Sequence, residues 1–251
     1  KLQEAKGPAR SVRLHTLHDV PSFAALLNRI GKPETAEVLA DVDTLTIGAY
    51  LSPTAAESDA LVCRMTKHPL FVLWENAITG RASLSQKDAH QFVRSVKETI
   101  VGVKGMDVKG DGRAGDFLMQ ELGKLSLSSG QKFEQRINAL GFVEFSSMAG
   151  DRAVKGQLPQ AIEIEVPVFR GARREGDDPE ADALYTIEIN LLVDERGGEP
   201  VFGFSCPTLA LTLAEAMGDA AEQLRGDLNP GFLVGMGSLK RRDVVGLQYG
   251  G

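Results

Sequence analysis

Apolar residues recur at helical spacing in the first part of the chain, directly after Asp19. Asp19 is a suitable N-cap, Pro21 fits the first turn, and Gly31 interrupts the pattern, so the spacing predicts an amphipathic helix between them. A second apolar stretch over 70–78 contains the single tryptophan and predicts a compact helix that ends at Gly80.

The clearest local signal is the pair Ser85 and Asp88, which are spaced as in a capping box. Apolar residues follow at helical spacing and predict a helix that ends near Gly102. Two further helices are predicted over 117–122 and 207–225, and the second of these has a long apolar face.

Alternation of apolar and polar residues predicts strands in the other segments. The segment 36–52 predicts two strands joined around residues 41–43, and 61–65 predicts a third. Residues 131–147 fit a helix in their first half and a strand in their second half, and the turn-like residues 138–141 favour a hairpin.

Clean alternation continues over 161–169 and 185–193, and a shorter apolar run follows over 201–204. Gly197 and Gly198 form a turn signal between the last two segments, so the three strands are typical of an antiparallel meander.

These elements predict an α+β fold in which an antiparallel sheet of hairpins and a meander carries amphipathic helices on one face. We expect a flexible basic segment over 1–18, a single α+β domain over 19–225, and a Gly-rich basic tail over 226–251.

Composition is that of an ordinary globular protein, with 43% apolar and 25% charged residues among 251. That apolar content excludes disorder as the main state of the chain. No apolar run approaches the roughly 20 residues that cross a bilayer, so no membrane partner is expected. No secretory signal is visible in the basic, polar start, and Cys63 and Cys206 are expected to be buried thiols. We therefore expect a cytoplasmic protein.

The net charge is −6, but its distribution is uneven. The first 32 residues carry six basic and two acidic side chains, whereas 126–251 carry 12 basic and 19 acidic ones. A globally basic nucleic-acid binder is excluded, although a local basic strip could still bind phosphate.

The motifs that could carry chemistry fail for physical reasons. Gly110–Gly115 matches a dinucleotide fingerprint by letters but follows a helix instead of a strand. The segment beginning at Asp107 lacks the acidic ligands of a calcium loop, and His15 and His18 lack a third zinc ligand. We therefore predict a non-enzymatic protein without a catalytic residue, metal or cofactor.

Basic residues near glycines or at strand ends are the remaining candidates for function, because a basic loop can follow a phosphate backbone. The predicted nucleic-acid-binding residues are Arg170, Arg173, Arg174, Lys240, Arg241 and Arg242, with Lys104, Lys109 and Arg113 second.

Several short segments occur in a familiar order: Pro21–Arg29, the 36–52 hairpin, His68–Asn76, Leu84–Gln86 and Pro167–Gly171. Together they resemble the YfdQ-like family of phage and prophage proteins, a domain of unknown function. The resemblance implies a phage-encoded protein of the bacterial cytoplasm that belongs to early DNA metabolism, and it transfers no activity and no functional residue.

Three functions stay open at this point. The first is an oligomeric single-stranded DNA-binding or annealing protein for phage recombination or replication, whose partners are single-stranded DNA and further copies of the chain. The alternative is a protein-interaction module that uses the acidic segment Glu175–Asp182 to modulate host defence or replication machinery. The third is an enzyme acting on nucleotides or DNA.

Overall fold

The computed structural model describes residues 11–51, 57–80, 83–105, 113–125, 134–137, 142–149, 152–174, 176, 178, 181–196 and 199–237. These residues form an α+β fold with mostly antiparallel pairing, which confirms the predicted fold class. The sequence predicts one domain over 19–225, whereas the chain divides into two compact units. Unit 1 comprises 1–67, 168–183 and 213–251, and unit 2 comprises 68–167 and 184–212.

Unit 1 contains a five-stranded sheet and helix α1. Numbered in chain order through the molecule, its elements are β1 (Ser11–Leu17), α1 (Val20–Ile30), β2 (Glu37–Asp41), β3 (Thr46–Tyr50), β4 (Glu57–Arg64), the C-terminal part of α5 (Leu209–Asp227) and β13 (Val234–Met236). The strand order is β1-β4-β3-β2-β13.

The local signals of unit 1 are confirmed where neighbouring residues interact. Asp19 caps α1 by accepting a hydrogen bond from the Ser22 amide at 2.7 Å, and β2 and β3 form the predicted antiparallel hairpin. Phe23 and Leu27 on α1 are fully buried. Burial of such side chains contributes about 1.5–3 kcal/mol each.

Two strands of unit 1 lie in segments that the sequence assigns to a flexible start and a tail. β1 pairs in parallel with β4, and β13 pairs in parallel with β2. Both pairings join residues that are far apart in the chain. Polar and apolar residues alternate over 11–15 in β1, whereas β13 is too short to show a pattern. The prediction of a flexible segment is therefore wrong for 11–17, and that of a tail is wrong for 234–236.

Unit 2 contains two antiparallel sheets and the remaining helices. Its elements are α2 (Pro69–Thr79), β5 (Leu84–Ser85), α3 (Gln86–Val96), a 3₁₀ helix (Lys97–Thr99), β6 (Ile100–Val103), α4 (Arg113–Leu125), β7 (Glu134–Ile137), β8 (Phe142–Ala149), β9 (Arg152–Pro159), β10 (Ala161–Pro167), β11 (Leu184–Arg196), β12 (Glu199–Ser205) and the start of α5. The sheet orders are β5-β12-β11-β10-β6 and β7-β8-β9.

An aromatic cluster joins the helices of unit 2 to one face of the five-stranded sheet. Trp74 on α2 meets Phe92 on α3 edge to face, with 5.0 Å between the ring centroids, and both rings contact Phe204 on β12. Ile187 and Ile189 on β11 are buried on the same apolar side of the alternating strand. This packing confirms the prediction of helices on one sheet face.

The helix predicted to end near Gly102 ends earlier, at Val96. Ile100 is fully buried in β6, and Gly102 lies opposite Glu163 in the antiparallel β6–β10 pair. A buried isoleucine fits both the helical and the strand periodicity, so the local sequence does not distinguish the two. Pairing with the distant strand β10 makes this segment a strand. The hairpin predicted over 131–147 is confirmed by the pairing of β7 with β8.

No helix within the described residues is both long enough and apolar enough to cross a membrane.

Candidate nucleic-acid interface

The predicted phosphate-binding residues fall into three groups. Arg170, Arg173 and Arg174 lie in unit 1, and Lys104 and Arg113 lie in unit 2. Four others lie outside the described residues: Lys109, Lys240, Arg241 and Arg242.

Arg174 is bound to helix α5. Its Nε donates to Asp219 Oδ2 at 2.7 Å and its Nη2 donates to Glu215 Oε1 at 2.9 Å. Glu215 and Asp219 are one helical turn apart, so a single guanidinium bridges both carboxylates. Arg174 therefore anchors the 168–183 segment to α5, and its charge is balanced before any phosphate arrives.

Arg170 and Arg173 have exposed side chains on an anchored backbone. The Arg170 amide donates to the Thr66 carbonyl, and the Arg173 amide donates to Gln223 Oε1, each at 2.9 Å. Neither side chain has an ion-pair partner in the part of the chain that the structure describes. These two cations remain available to an anion.

The surface beside Arg173 is an open groove of mixed charge rather than a basic strip. It is lined by Arg173, Arg174, Asp219, Glu222, Gln223, Arg225, Gly226 and Asp227. Arg225 pairs with Glu222 and donates to the Val234 carbonyl at 2.8 Å. Because carboxylates alternate with guanidiniums here, the groove attracts a polyanion weakly.

Unit 2 balances several of its cations in the same way. Lys104 pairs with Glu188, with 3.1 Å between Nζ and Oε1. Lys97 pairs with Asp116, and the hydrogen bond to Asp116 together with the nearby negative charges raises the pKa of the lysine. Arg113 begins α4 with an exposed side chain and has no ion-pair partner among the described residues.

Helix α3 presents an unbalanced basic face that the sequence analysis did not select. Lys87, His90 and Arg94 recur at i, i+3 and i+7, so they share one side of the helix. With Gln91 and Ser95 they line an open groove of about 570 Å³. No described residue forms an ion pair with Lys87 or Arg94.

The one carboxylate within α3, that of Asp88, is engaged at the N-cap. Asp88 accepts a hydrogen bond from the Ser85 hydroxyl at 2.6 Å, while the Asp88 amide donates to Ser85 Oγ at 3.2 Å. Ser85 is therefore the N-cap that the sequence predicts, whereas Asp88 binds the Ser85 hydroxyl instead of the Ser85 amide that a capping box uses. The basic groove therefore contains no competing acid from its own helix.

The basic face stands on a rigid support. Ala89, Val93 and Val96 bury the opposite side of α3. Gln86 Nε2 donates to the Leu122 carbonyl at 2.7 Å, which ties the start of α3 to α4. A helix fixed in this way holds its charged side chains at a defined spacing without further ordering of the backbone.

The outer face of the five-stranded sheet in unit 2 has the opposite charge. Glu163 on β10 lies directly opposite Glu188 on β11, and Glu165 follows on the same face. Like charges that oppose each other across strands destabilise the pair slightly, and Lys104 offsets this at Glu188. Unit 2 thus has an acidic sheet face and a basic helix face.

Metal-binding side chains and a buried thiol are two candidate sources of chemistry within the described residues. These residues contain no group of three or more His, Cys, Asp or Glu side chains that could hold a metal ion. Cys63 is fully buried, and burial, with a smaller contribution from Asp19, raises the pKa of its thiol to about 12. A thiol of this kind is not a nucleophile near neutral pH.

Comparison of the chain with protein-family models, with curated proteins and with solved structures finds no match. The function must therefore be argued from the site.

The α3 face is not among the predicted residues, because the prediction covers basic residues near glycines or at strand ends. The signal was nonetheless present, since Lys87, His90 and Arg94 follow a capping box at helical spacing. Conversely, the acids that neutralise Arg174 lie more than 40 residues after it in the chain, so no local sequence pattern predicts them.

Proposed function

We propose that the protein is a non-enzymatic, single-stranded DNA-binding protein that holds the phosphate backbone on the basic face of α3. The observation that carries the proposal is the row of Lys87, His90 and Arg94 on one rigid helix face, free of acids. Arginine and lysine contacts to phosphates supply most of the sequence-independent affinity for nucleic acid.

The dimensions of the face suit a few consecutive phosphates. Seven residues of helix span about 10 Å, the length of about three nucleotides at the axial rise of stacked duplex DNA and of fewer in an extended single strand. The neighbouring aromatic ring, Phe92, packs against Trp74 in the core, so the bases are not stacked by it. Contacts to phosphate alone leave base edges free to pair, as strand annealing requires.

The acidic sheet face favours binding of the DNA strand on the α3 side of unit 2. Glu163, Glu165 and Glu188 repel phosphate from that side of unit 2, while the α3 face attracts it. By the resemblance to phage proteins, we place this activity in phage recombination or replication in the bacterial cytoplasm.

Fluorescence anisotropy with a labelled single-stranded oligonucleotide tests the proposal through three matched variants. Each variant removes one pair of exposed cations: Lys87→Gln with Arg94→Gln, Arg170→Gln with Arg173→Gln, and Arg29→Gln with Lys32→Gln as the control on unit 1. We expect about tenfold weaker binding at low salt for the first pair and little change for the control.

An absence of binding by the wild-type protein at low salt would refute the proposed function. Equal losses for all three pairs would refute the assignment to α3, since they would reflect net charge alone. A loss confined to the Arg170 and Arg173 variant would move the site to unit 1.

A second candidate function is a protein-interaction module, which the acidic sheet face of unit 2 favours. Reversing Glu163 and Glu165 to lysine would abolish capture of a basic protein partner from nuclease-treated lysate, whereas the Lys87 and Arg94 variant would retain it. Capture that depends on nucleic acid would instead support DNA binding.

A further inference from the structure

Most sheet edges among the described strands are too short to recruit another strand. β5, β6, β7 and β13 have between two and four residues each. Short edge strands are one way in which proteins avoid unwanted pairing. The two long edges are β1, with seven residues, and β9, with eight.

The β9 edge is covered by helix α4. Glu121, a buried carboxylate on α4, accepts a hydrogen bond from the Gln157 amide at 2.9 Å and also pairs with Lys124. β9 ends at Pro159, which cannot donate to a neighbouring strand. These features close β9 to a partner.

Within the described residues, β1 has no comparable protection. It pairs in parallel with β4 from Ser11 to Leu17, and no described strand lies along its other edge. Its sequence contains no proline and one charged residue. Leu14 is 39% exposed, and His15 and Thr16 are exposed beside it. An uncovered edge with an exposed leucine is a template for another strand.

We propose that β1 pairs antiparallel with β1 of a second copy of this chain. A two-fold axis perpendicular to the sheet keeps each face of the sheet on its own side. In an antiparallel pair, residues that lie directly opposite each other point to the same face of the sheet. The two copies must therefore pair so that one residue lies opposite its own copy. Centring on Leu14 sets the exposed leucine against its own copy and joins two five-stranded sheets into one.

A second copy suits this edge better than a partner of different sequence. The isologous arrangement uses the same surface twice, so every backbone donor and acceptor on the edge meets its counterpart. β1 contains no acidic residue, so no carboxylates oppose each other, and its one arginine, Arg13, lies opposite His15 of the copy instead of opposite its own copy. This interface lies in unit 1 and does not depend on the proposed DNA site.

Light scattering after size-exclusion chromatography tests the interface. We expect the wild-type protein at twice the chain mass of 27.0 kDa and Leu14→Lys at the single mass, because a charge on the edge opposes strand pairing. Leu233→Lys is the matched control, since Leu233 is 83% exposed in unit 1 and lies outside β1. Circular dichroism reports whether each variant is folded.

A single mass for the wild-type protein at every concentration, or a double mass for folded Leu14→Lys, would overturn the interface. If Leu14→Lys does not fold, hydrogen exchange of the wild-type protein decides. Protection of β1 amides must rise with protein concentration, and concentration-independent protection contradicts the proposal. Dimers that bind no DNA would refute only the proposed function, whereas monomers that bind DNA would refute only this interface.

Discussion

Trp74 donates its indole N–H to Thr99 Oγ1 over 3.0 Å, and both side chains are buried. The Thr99 hydroxyl in turn donates to the Val96 carbonyl at 2.6 Å. Val96 is the last residue of α3, so this relay fixes the end of the helix that carries the basic face to α2. The interface on α3 therefore depends on a buried contact behind it.

Replacing Thr99 with valine keeps the shape of the side chain but removes the acceptor for Trp74. We expect a loss of about 1–3 kcal/mol in the free energy of unfolding, because the buried indole N–H is left without a partner. Urea denaturation followed by fluorescence of the single tryptophan measures it. Thr79→Val is the control, since Thr79 is exposed on the same helix as Trp74. Equal effects of the two substitutions would contradict the relay.

Ser85→Ala removes the N-cap of α3. We expect about 1 kcal/mol of destabilisation, because the Asp88 amide loses its acceptor. Ser95→Ala, at the exposed other end of the helix, is expected to change stability by less than about 0.5 kcal/mol. Thermal unfolding compares the two variants, and a larger effect at Ser95 would show that the N-cap does not stabilise the helix.

The salt dependence of DNA binding reports how many phosphates the α3 face neutralises. For single strands the slope of log affinity against log salt is about −0.7 per phosphate. Removing Lys87 and Arg94 together should therefore reduce the magnitude of the slope by about 1.4. Anisotropy titrations over a salt series measure it, and a slope identical to that of the wild-type protein would exclude both residues from phosphate contact.

The buried Cys63 thiol makes the free energy of unfolding depend on pH in the alkaline range. Burial raises the pKa of the native thiol from its ordinary value of 9.0 to about 12. As the pH rises above the unfolded pKa, the unfolded thiol loses its proton while the native one keeps it, so the free energy of unfolding falls.

Between about pH 8 and about pH 10 the loss due to this thiol is about 1.4 kcal/mol. Cys63→Ala should show a smaller decrease than the wild-type protein by that amount. Urea midpoints at the two pH values provide the measurement, with Cys206→Ala as the control because Cys206 is only half-buried. Parallel pH curves for the wild-type protein and Cys63→Ala would contradict the prediction.

The elements predicted correctly from the sequence are those that adjacent residues determine. Asp19 caps α1 from three residues away, Ser85 caps α3, and the β2–β3 hairpin closes within its own turn. The strand partners of β1 and β6 could not be found in this way, because each strand pairs with a distant part of the chain.

The same distinction between local and distant determinants applies to the residues of the candidate site. Exposed Arg170 and Arg173 could be identified locally, whereas the neutralisation of Arg174 depends on acids of α5. The α3 face is predictable from the sequence, since its spacing and its N-cap are both local features.

The alternation of the two units along the chain has a consequence for synthesis on the ribosome. Unit 1 begins first, but it needs the C-terminal part of α5 and β13, which lie beyond residue 212. Unit 2 is complete once residue 212 has emerged. The unit that starts second therefore finishes first, and β2 lacks its partner β13 until residues 234–236 have been synthesised.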